Sequence, residues 1–267
     1  ESIENTAGHC SCVVRTTRVI CNLCQNGCIN TGTSTNSVHN DVIVLKESST
    51  LSKKYIRQEK VSQALYIDVI TDFYAAEQMI SHFFRKIIRS KFLKPDIIVS
   101  HPAFCPVIEL RAMRDIFHSI ANSVTIILEP LAAYAYLSQK YTFEKAIIIN
   151  CGAECVKVDC VCNSKIVGVK EIRFPYSRFY SEMTVSETDK LVEKIIPTIN
   201  KYIGEYGEDK LFLIGGEEDS PEKLQQIAGK LPYKCIIPED YSNIIVRGLK
   251  IAHENPIYHR FSPKYIL

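Results

Sequence analysis

The segment "IIINCGAECVKVDCVC", residues 147–162, is the place where this sequence could do chemistry. An apolar run, a turn of small residues and an alternating run lay out a hairpin, and a tip of that kind can offer backbone N–H groups to a phosphate. Asn150 and Gly152 stand at the tip. A second candidate is the end of "KLFLIGG", where Gly215 and Gly216 close a strand, although a strand-to-helix turn calls for glycine in any case. Glu129 precedes Pro130 at the start of a helical pattern, where an acid is favoured by the positive end of the helix.

Cysteine supplies another set of candidates. Cys10, Cys12, Cys21, Cys24 and Cys28 are spaced C-x-C and then C-x-x-C-x-x-x-C, which suits zinc. The competing reading is small apolar residues facing a core. Cys10 and Cys12, like Cys160 and Cys162, lie two apart, which is strand spacing onto one face. Core packing is the preferred reading, and no metal site is expected. His101 reads as a loop histidine rather than a ligand.

These residues need elements to hold them. Short strand-like pieces at Arg18–Leu23 and Asp41–Leu45 flank Asn26-Gly27, a tight-turn signal. From Phe73 to Ile88 apolar residues recur at helical spacing, with Thr71 or Asp72 as cap. An α/β rhythm follows: strand 96–100, a helix opened by Pro106, strand 124–129, and a helix opened by Pro130. Strand 145–150, a half-exposed strand 155–162 and a strand after Asn163-Ser164 make a meander. A helical stretch 185–203 broken by Pro197, strand 210–216, a helix from Pro221, a short strand at "YKCIIP" and a final helix complete the chain. Alternation with an inserted meander predicts an α/β fold of mixed sheets with helices on their faces. Ligands of such folds lie at the carboxyl ends of strands, here after Asn150 and Ile214.

The bulk numbers set the class. The chain has 267 residues, 46% hydrophobic and 23% charged, with net charge +2, which describes a globular protein and no nucleic-acid binder. No apolar run approaches the roughly 20 residues of a membrane span. With eleven cysteines and no charged-then-apolar leader after Glu1, reduced thiols and a soluble, cytoplasmic protein are the expectation.

The block "KPDIIVSHPAFCPVIELRAMRDIFHSIANSVTIILEPLAAYAYL", residues 94–137, resembles the bacterial actin homologue MreB: a strand into a proline turn, then an E-R-R-A helix and an E-P-x-A-A-A helix. "YIDVITDFYAAEQMISHFFRKI" before it and "LFLIGGEEDSPEKLQQIAGKLPYKCIIPEDYSNIIVRGLKIAHENP" after it extend the similarity over roughly residues 66–256. The resemblance implies an actin-like (ribonuclease H-like) two-domain fold with mixed five-stranded sheets. Domain I would span 1–143, a shortened domain II 144–245, and 246–267 would be a C-terminal helix and tail returning to domain I. Only residues 174–209 fill the interval of the small subdomain IIB, which implies its loss.

In that class two Asp-Gly-rich hairpins hold the ATP phosphates, and their Asp side chains hold magnesium. The second should read D-I-G-G-G-T, and here reads Asn150-Cys151-Gly152-Ala153-Glu154-Cys155. Ala153 and Glu154 would fill the space of the phosphate. The first, D-L-G-T, corresponds to Cys12–Thr17 and has neither Asp nor Gly. Glu129 matches the glutamate that orients the attacking water, and Gly215-Gly216 the adenosine-side turn, with Glu217 in place of the third glycine. The resemblance thus implies a vestigial nucleotide site at Asn150, Gly152, Gly215 and Gly216, with Glu129 its one candidate catalytic group. The leading reading is a cytoskeletal, cell-shape-related scaffold or filament regulator without efficient ATP hydrolysis and with no cofactor. Its partners would be proteins, either a true MreB filament or further copies of itself. The rival is a divergent but active, filament-forming ATPase that determines rod shape and uses ATP and Mg. Contact with the inner face of the membrane is implied by the resemblance alone.

Overall fold

The computed structural model describes residues 11–15, 18–22, 43–45, 65–66, 69–70, 73–74, 76–78, 80–81, 94–104, 106–152, 155–173, 183–207, 209–215 and 221–259, with backbone alone up to residue 70. Two compact units result, Glu1–Ile127 with Ser262–Leu267, and Leu128–Phe261.

In the first unit, β1 (Ser11–Arg15) and β2 (Arg18–Asn22) form an antiparallel hairpin with Arg15 opposite Arg18. β3 (Ile43–Leu45) runs antiparallel to β1, and β2 runs parallel to β6 (Asp96–His101). With β7 (Ser123–Leu128) the order is β3-β1-β2-β6-β7. β4 (Leu65–Tyr66) and β5 (Val69–Ile70) pair separately. β1 occupies the segment where the first phosphate hairpin was sought, and its register sets Cys12 opposite Cys21. Cys10, Cys24, Cys28 and the Asn26-Gly27 turn lie outside the described residues. Residues 73, 74, 76–78, 80 and 81 are helical, with Ala76 and Ile80 buried one turn apart. The rest of that pattern also lies outside the described residues.

β6 is buried at all but its first position, as an apolar run in a parallel pairing should be. Its start is tied to that of β7: Asn122 Nδ2 and Ser123 Oγ both donate to Asp96 Oδ1, at 2.9 and 2.6 Å. Between the two strands runs α1 (Val107–His118), with Pro106 at its N-cap and Leu110, Met113, Ile116 and Phe117 buried. His101 is no loop residue. It ends β6, is 2% exposed, and its Nδ1 lies 3.3 Å from the Pro102 carbonyl.

The second unit is a five-stranded sheet in the order β10-β9-β8-β11-β12. β8 (Lys145–Cys151), β9 (Cys155–Cys162) and β10 (Lys165–Arg173) form the antiparallel meander, while β8, β11 (Lys210–Gly215) and β12 (Cys235–Ile236) run parallel. Asn163 (φ 47°) and Ser164 (φ 63°) both take left-handed backbone, the requirement of a two-residue turn that matches strand twist. Asp209 Oδ2 accepts the Glu144 and Lys145 amides at 2.8 and 3.0 Å and so aligns the starts of β8 and β11.

Helices cover both faces. α3 (Val185–Tyr206) and α4 (Pro221–Lys230) pack on Ile147, Ile149, Val156, Val158, Cys160, Leu211 and Leu213. A capping box opens α3: Thr184 Oγ1 accepts from the Glu187 amide, and Glu187 Oε2 accepts from that of Thr184. α3 is continuous through Pro197, where the sequence suggested a break. Pro197 lies on the exposed side, so the carbonyl it leaves unbonded faces water while Ile195 and Ile199 stay buried. Between β10 and α3 only residues 174–184 intervene, too few for a separate subdomain. On the other face lies α2 (Glu129–Lys140), with α5 (Ile244–Glu254) against it. The short α6 (Pro256–His259) follows. Among the described residues no helix is long and apolar enough to cross a membrane.

The α2–α5 crossing depends on small residues. A Cβ built at Gly248 would stand 1.8 Å from the Ala132 carbonyl oxygen, which is backbone and cannot step aside. Gly248→Ala should therefore cost at least the about 1–3 kcal/mol of an overpacked core. Urea unfolding read by circular dichroism checks this, with Gly204→Ala, a helical site whose added Cβ would meet nothing within 4 Å, as the control that should instead gain up to about 1 kcal/mol.

Candidate functional site

The helix-covered sheet of the second unit gathers most of the residues singled out in the sequence. Register places Asn150 of β8 directly opposite Lys157 of β9, Lys157 opposite Glu171 of β10, and Ile214 of β11 opposite Asn150. Directly opposed residues share a face, as do residues two apart on a strand. One row across the sheet is thus Ile214, Asn150, Lys157 and Glu171, and the next is Phe212, Ile148, Asp159 and Val169.

Glu129, in the first turn of α2, reaches this face. Lys157 Nζ donates to Glu129 Oε2 at 2.9 Å, with the two side chains only 9% and 6% exposed. Asp159 is 5% exposed in the same cluster. Burial pushes its carboxyl up to about 8, the Lys157 charge opposes that rise, and the Glu129 charge adds to it. At neutral pH the cluster is therefore a lysine–glutamate ion pair beside an un-ionised aspartic acid.

β9 was expected to be half exposed. Every residue from Cys155 to Val161 is instead buried, because α2 covers the side that a two-layer fold would leave to water. Alternation of apolar and polar residues normally marks one wet face, and here the polar positions 157 and 159 carry the internal charge cluster. Lys157 and Asp159 are the functional candidates that sequence reasoning missed. The available signal was two opposite charges two residues apart on a strand, with a glutamate elsewhere to receive the lysine.

The remaining candidates divide as follows. Gly152 closes the tip: its N–H donates to the Cys155 carbonyl at 2.9 Å, so that amide is engaged within the hairpin. Gly215 ends β11 opposite Cys151, and its N–H reaches the Tyr241 carbonyl at 3.5 Å. Ala153, Glu154, Gly216 and Glu217 lie outside the described residues. Glu129, Asn150 and Lys157 come together on one face, and Gly152 and Gly215 mark the adjoining strand ends. Magnesium needs hard oxygen ligands, chiefly carboxylates. Asn150 offers only an amide, and among the described residues no group of three His, Cys, Asp or Glu could hold a metal ion. Cys151, Cys155, Cys160, Cys162 and Cys235 are in no disulfide, and burial pushes the thiols of Cys160 and Cys235 up to about 12, far from the reactive thiolate.

The shifted Asp159 carboxyl makes stability depend on pH. Its folded value near 8 lies above the ordinary 3.8, so the folded state keeps a proton that the unfolded chain has lost. The contribution is fully present below about pH 4 and is lost as pH rises through 8, at no more than about 1.4 kcal/mol per unit. Urea midpoints at pH 5, 6.5 and 8 should fall steadily for the natural protein. Asp159→Asn should flatten that fall, and a variant with an unchanged slope would contradict the assignment.

Comparison with known proteins fits this geometry. The model of the MreB/Mbl protein family matches residues 29–184. The cell shape-determining protein MreB of Pasteurella multocida is 28% identical over 156 residues, 56% of this chain and 44% of that protein, so the match spans less than half the length of that relative. Among solved structures, the ethanolamine utilization protein EutJ from Carboxydothermus hydrogenoformans is similar with TM-score 0.55 and 13% identity, over 72% of this chain and 79% of that one. MreB5 of Spiroplasma citri, solved bound to ADP, has TM-score 0.55 and 13% identity, over 83% of this chain and 87% of that one. At that identity the likeness is one of fold, and the fold is actin-like.

Proposed function

The chain belongs to the MreB/Mbl family, and from that premise we propose that it is an actin-like cell-shape scaffold or filament regulator without efficient ATP hydrolysis. It works through contacts with other proteins, either filaments of a true MreB or further copies of itself. The observation that carries this reading is the 2.9 Å ion pair between Lys157 and Glu129. Glu129 is the residue that the resemblance matches to the water-orienting glutamate, and water activation needs a carboxylate able to accept its hydrogen bond, beside a held phosphate and metal. Here a buried lysine engages that carboxylate. Two further facts support the reading: Asn150 brings no carboxylate to the opposing strand, and the Gly152 amide is taken up by its own hairpin.

A second reading, a divergent but active filament-forming ATPase, is favoured by Glu129 and Gly215, which the resemblance matches to the family's glutamate and adenosine-side turn. Titration with Mg·ATP and Mg·ADP, followed by calorimetry and thermal melting, separates the two. A ligand that binds only the folded state, at a hundred times its dissociation constant, adds about 2.7 kcal/mol. Each kcal/mol raises the melting temperature by roughly 2–4 °C in chains of about this size. The scaffold reading expects no heat, no shift and no phosphate release above the buffer blank. A shift of several degrees with steady turnover would establish the ATPase in its place.

A further inference from the structure

We propose that Cys12 and Cys21, directly opposed on β1 and β2, form a dithiol site that a small-molecule disulfide converts into a cross-strand bridge. The inference lies in the first unit and needs no nucleotide, so it and the function proposed above can fail separately.

Register carries it. The Cα atoms of directly opposed residues in an antiparallel pair stand about 4.5 or about 5.5 Å apart, depending on the hydrogen-bond pattern. Both spacings lie within the roughly 4.4–6.8 Å that a disulfide spans, so the strands already stand at bridging distance. Among the described residues this is the one place where register sets two cysteines opposite each other. Cys151 stands opposite Val156, Cys160 opposite Ile147 and Gly168, Cys162 opposite Lys145 and Lys165, and Cys235 opposite Leu211. The surroundings of the pair favour a disulfide over a metal. Across the sheet its row reads Leu45, Cys12, Cys21 and Val99, and the next row on that face reads Ile43, Val14, Val19 and Ile97. Val99 and Ile97 are fully buried. Two cysteines supply half of the four ligands that zinc takes, and these rows hold no His, Asp or Glu to complete the set. Two thiols in register have a redox chemistry of their own. One thiolate attacks the small disulfide and expels a thiol, leaving a mixed disulfide; the second thiolate displaces the other thiol and closes the bridge. The cysteine pair gives up two electrons and two protons, and the small disulfide takes them up as two thiols. β1 and β2 are inner strands, with β3 on one side and β6 on the other, so the bridge staples the middle of the sheet.

Peptide mapping tests the idea on the full chain under native conditions. Oxidised glutathione is added to dilute protein, remaining thiols are blocked with iodoacetamide, and trypsin cuts after Arg15 and Arg18, between the two cysteines. Mass spectrometry should then find peptides 1–15 and 19–46 held together, and fragmentation should place the bridge at Cys12 and Cys21. Non-reducing electrophoresis should show single chains. The oxidised protein should melt several degrees above the reduced one, because the bridge constrains the unfolded chain. Neither the link nor the rise should appear in Cys12→Ser or Cys21→Ser, whereas Cys10→Ser and Cys24→Ser should keep both. The proposal is overturned by the absence of a linked pair, by a bridge mapped to Cys10, Cys24 or Cys28, by a link between two copies, or by a link without the melting shift. Should a serine variant fail to fold, fragmentation of the natural protein's linked peptides decides, since it places the bridge without any substitution.

Discussion

A strand buried on both faces leaves no place for an unbalanced charge, and β9 sets the terms for the second unit. Its core-facing residues, Val156, Val158 and Cys160, fill the layer beneath α3 and α4. Its other side carries Lys157 and Asp159 under α2, where water cannot solvate them. The ion pair with Glu129 and the proton on Asp159 follow from that enclosure, and so does the position of α2. The helix begins at the residue that neutralises the lysine. It then runs along the sheet with Leu131, Ala132, Ala133, Ala135 and Leu137 buried, closely enough that its partner helix needs glycine at 248.

Much of this was legible in the chain. Strands 96–101, 145–151 and 210–215 are apolar, β-branched runs bounded by turn residues, and two of the helices open at prolines 106 and 130. Periodicity misjudged what depends on the third dimension. Alternation along β9 suggested a wet face because the pattern records polarity, and a satisfied buried charge has the same polarity as an exposed one. Pro197 suggested a helix break because its local cost is real. Burial of Ile195 and Ile199 on either side outweighs it, and the capping box from Thr184 to Glu187 fixes the start of the helix. That box has the T-x-x-E spacing and was readable. Of the candidate site, Glu129, Asn150, Gly152 and Gly215 could be named from the resemblance. Lys157 could not, because its role exists only once register sets it beside Asn150 and packing brings Glu129 over it.

The two sheets share a plan, three antiparallel strands beside a parallel pairing, but assemble it differently. In the second, the first strand of the meander, β8, is central and pairs with β11; in the first, it is the second hairpin strand, β2, that pairs with β6. This matters for the nucleotide question, because a phosphate hairpin acts through the turn beyond a central strand. In the second unit that turn follows Asn150, and in the first the hairpin strands end in register at Arg15 and Arg18. Among the described residues at these two places, Asn150, Arg15 and Arg18 offer no carboxylate.

β10 carries a separate consequence. Among the described residues it has a partner on one side only, β9, and over nine residues it offers a row of backbone donors and acceptors of the kind that recruits stray strands. Its sequence discourages that. The register slips between Ile166 and Gly168, and the Tyr202 ring fills the space where a side chain at 168 would be, so the ribbon is irregular near its middle. Lys165, Lys170, Glu171 and Arg173 add charge along it. An open margin of this length would otherwise invite amyloid-like stacking, and these features guard the sheet against a zipper of main chains.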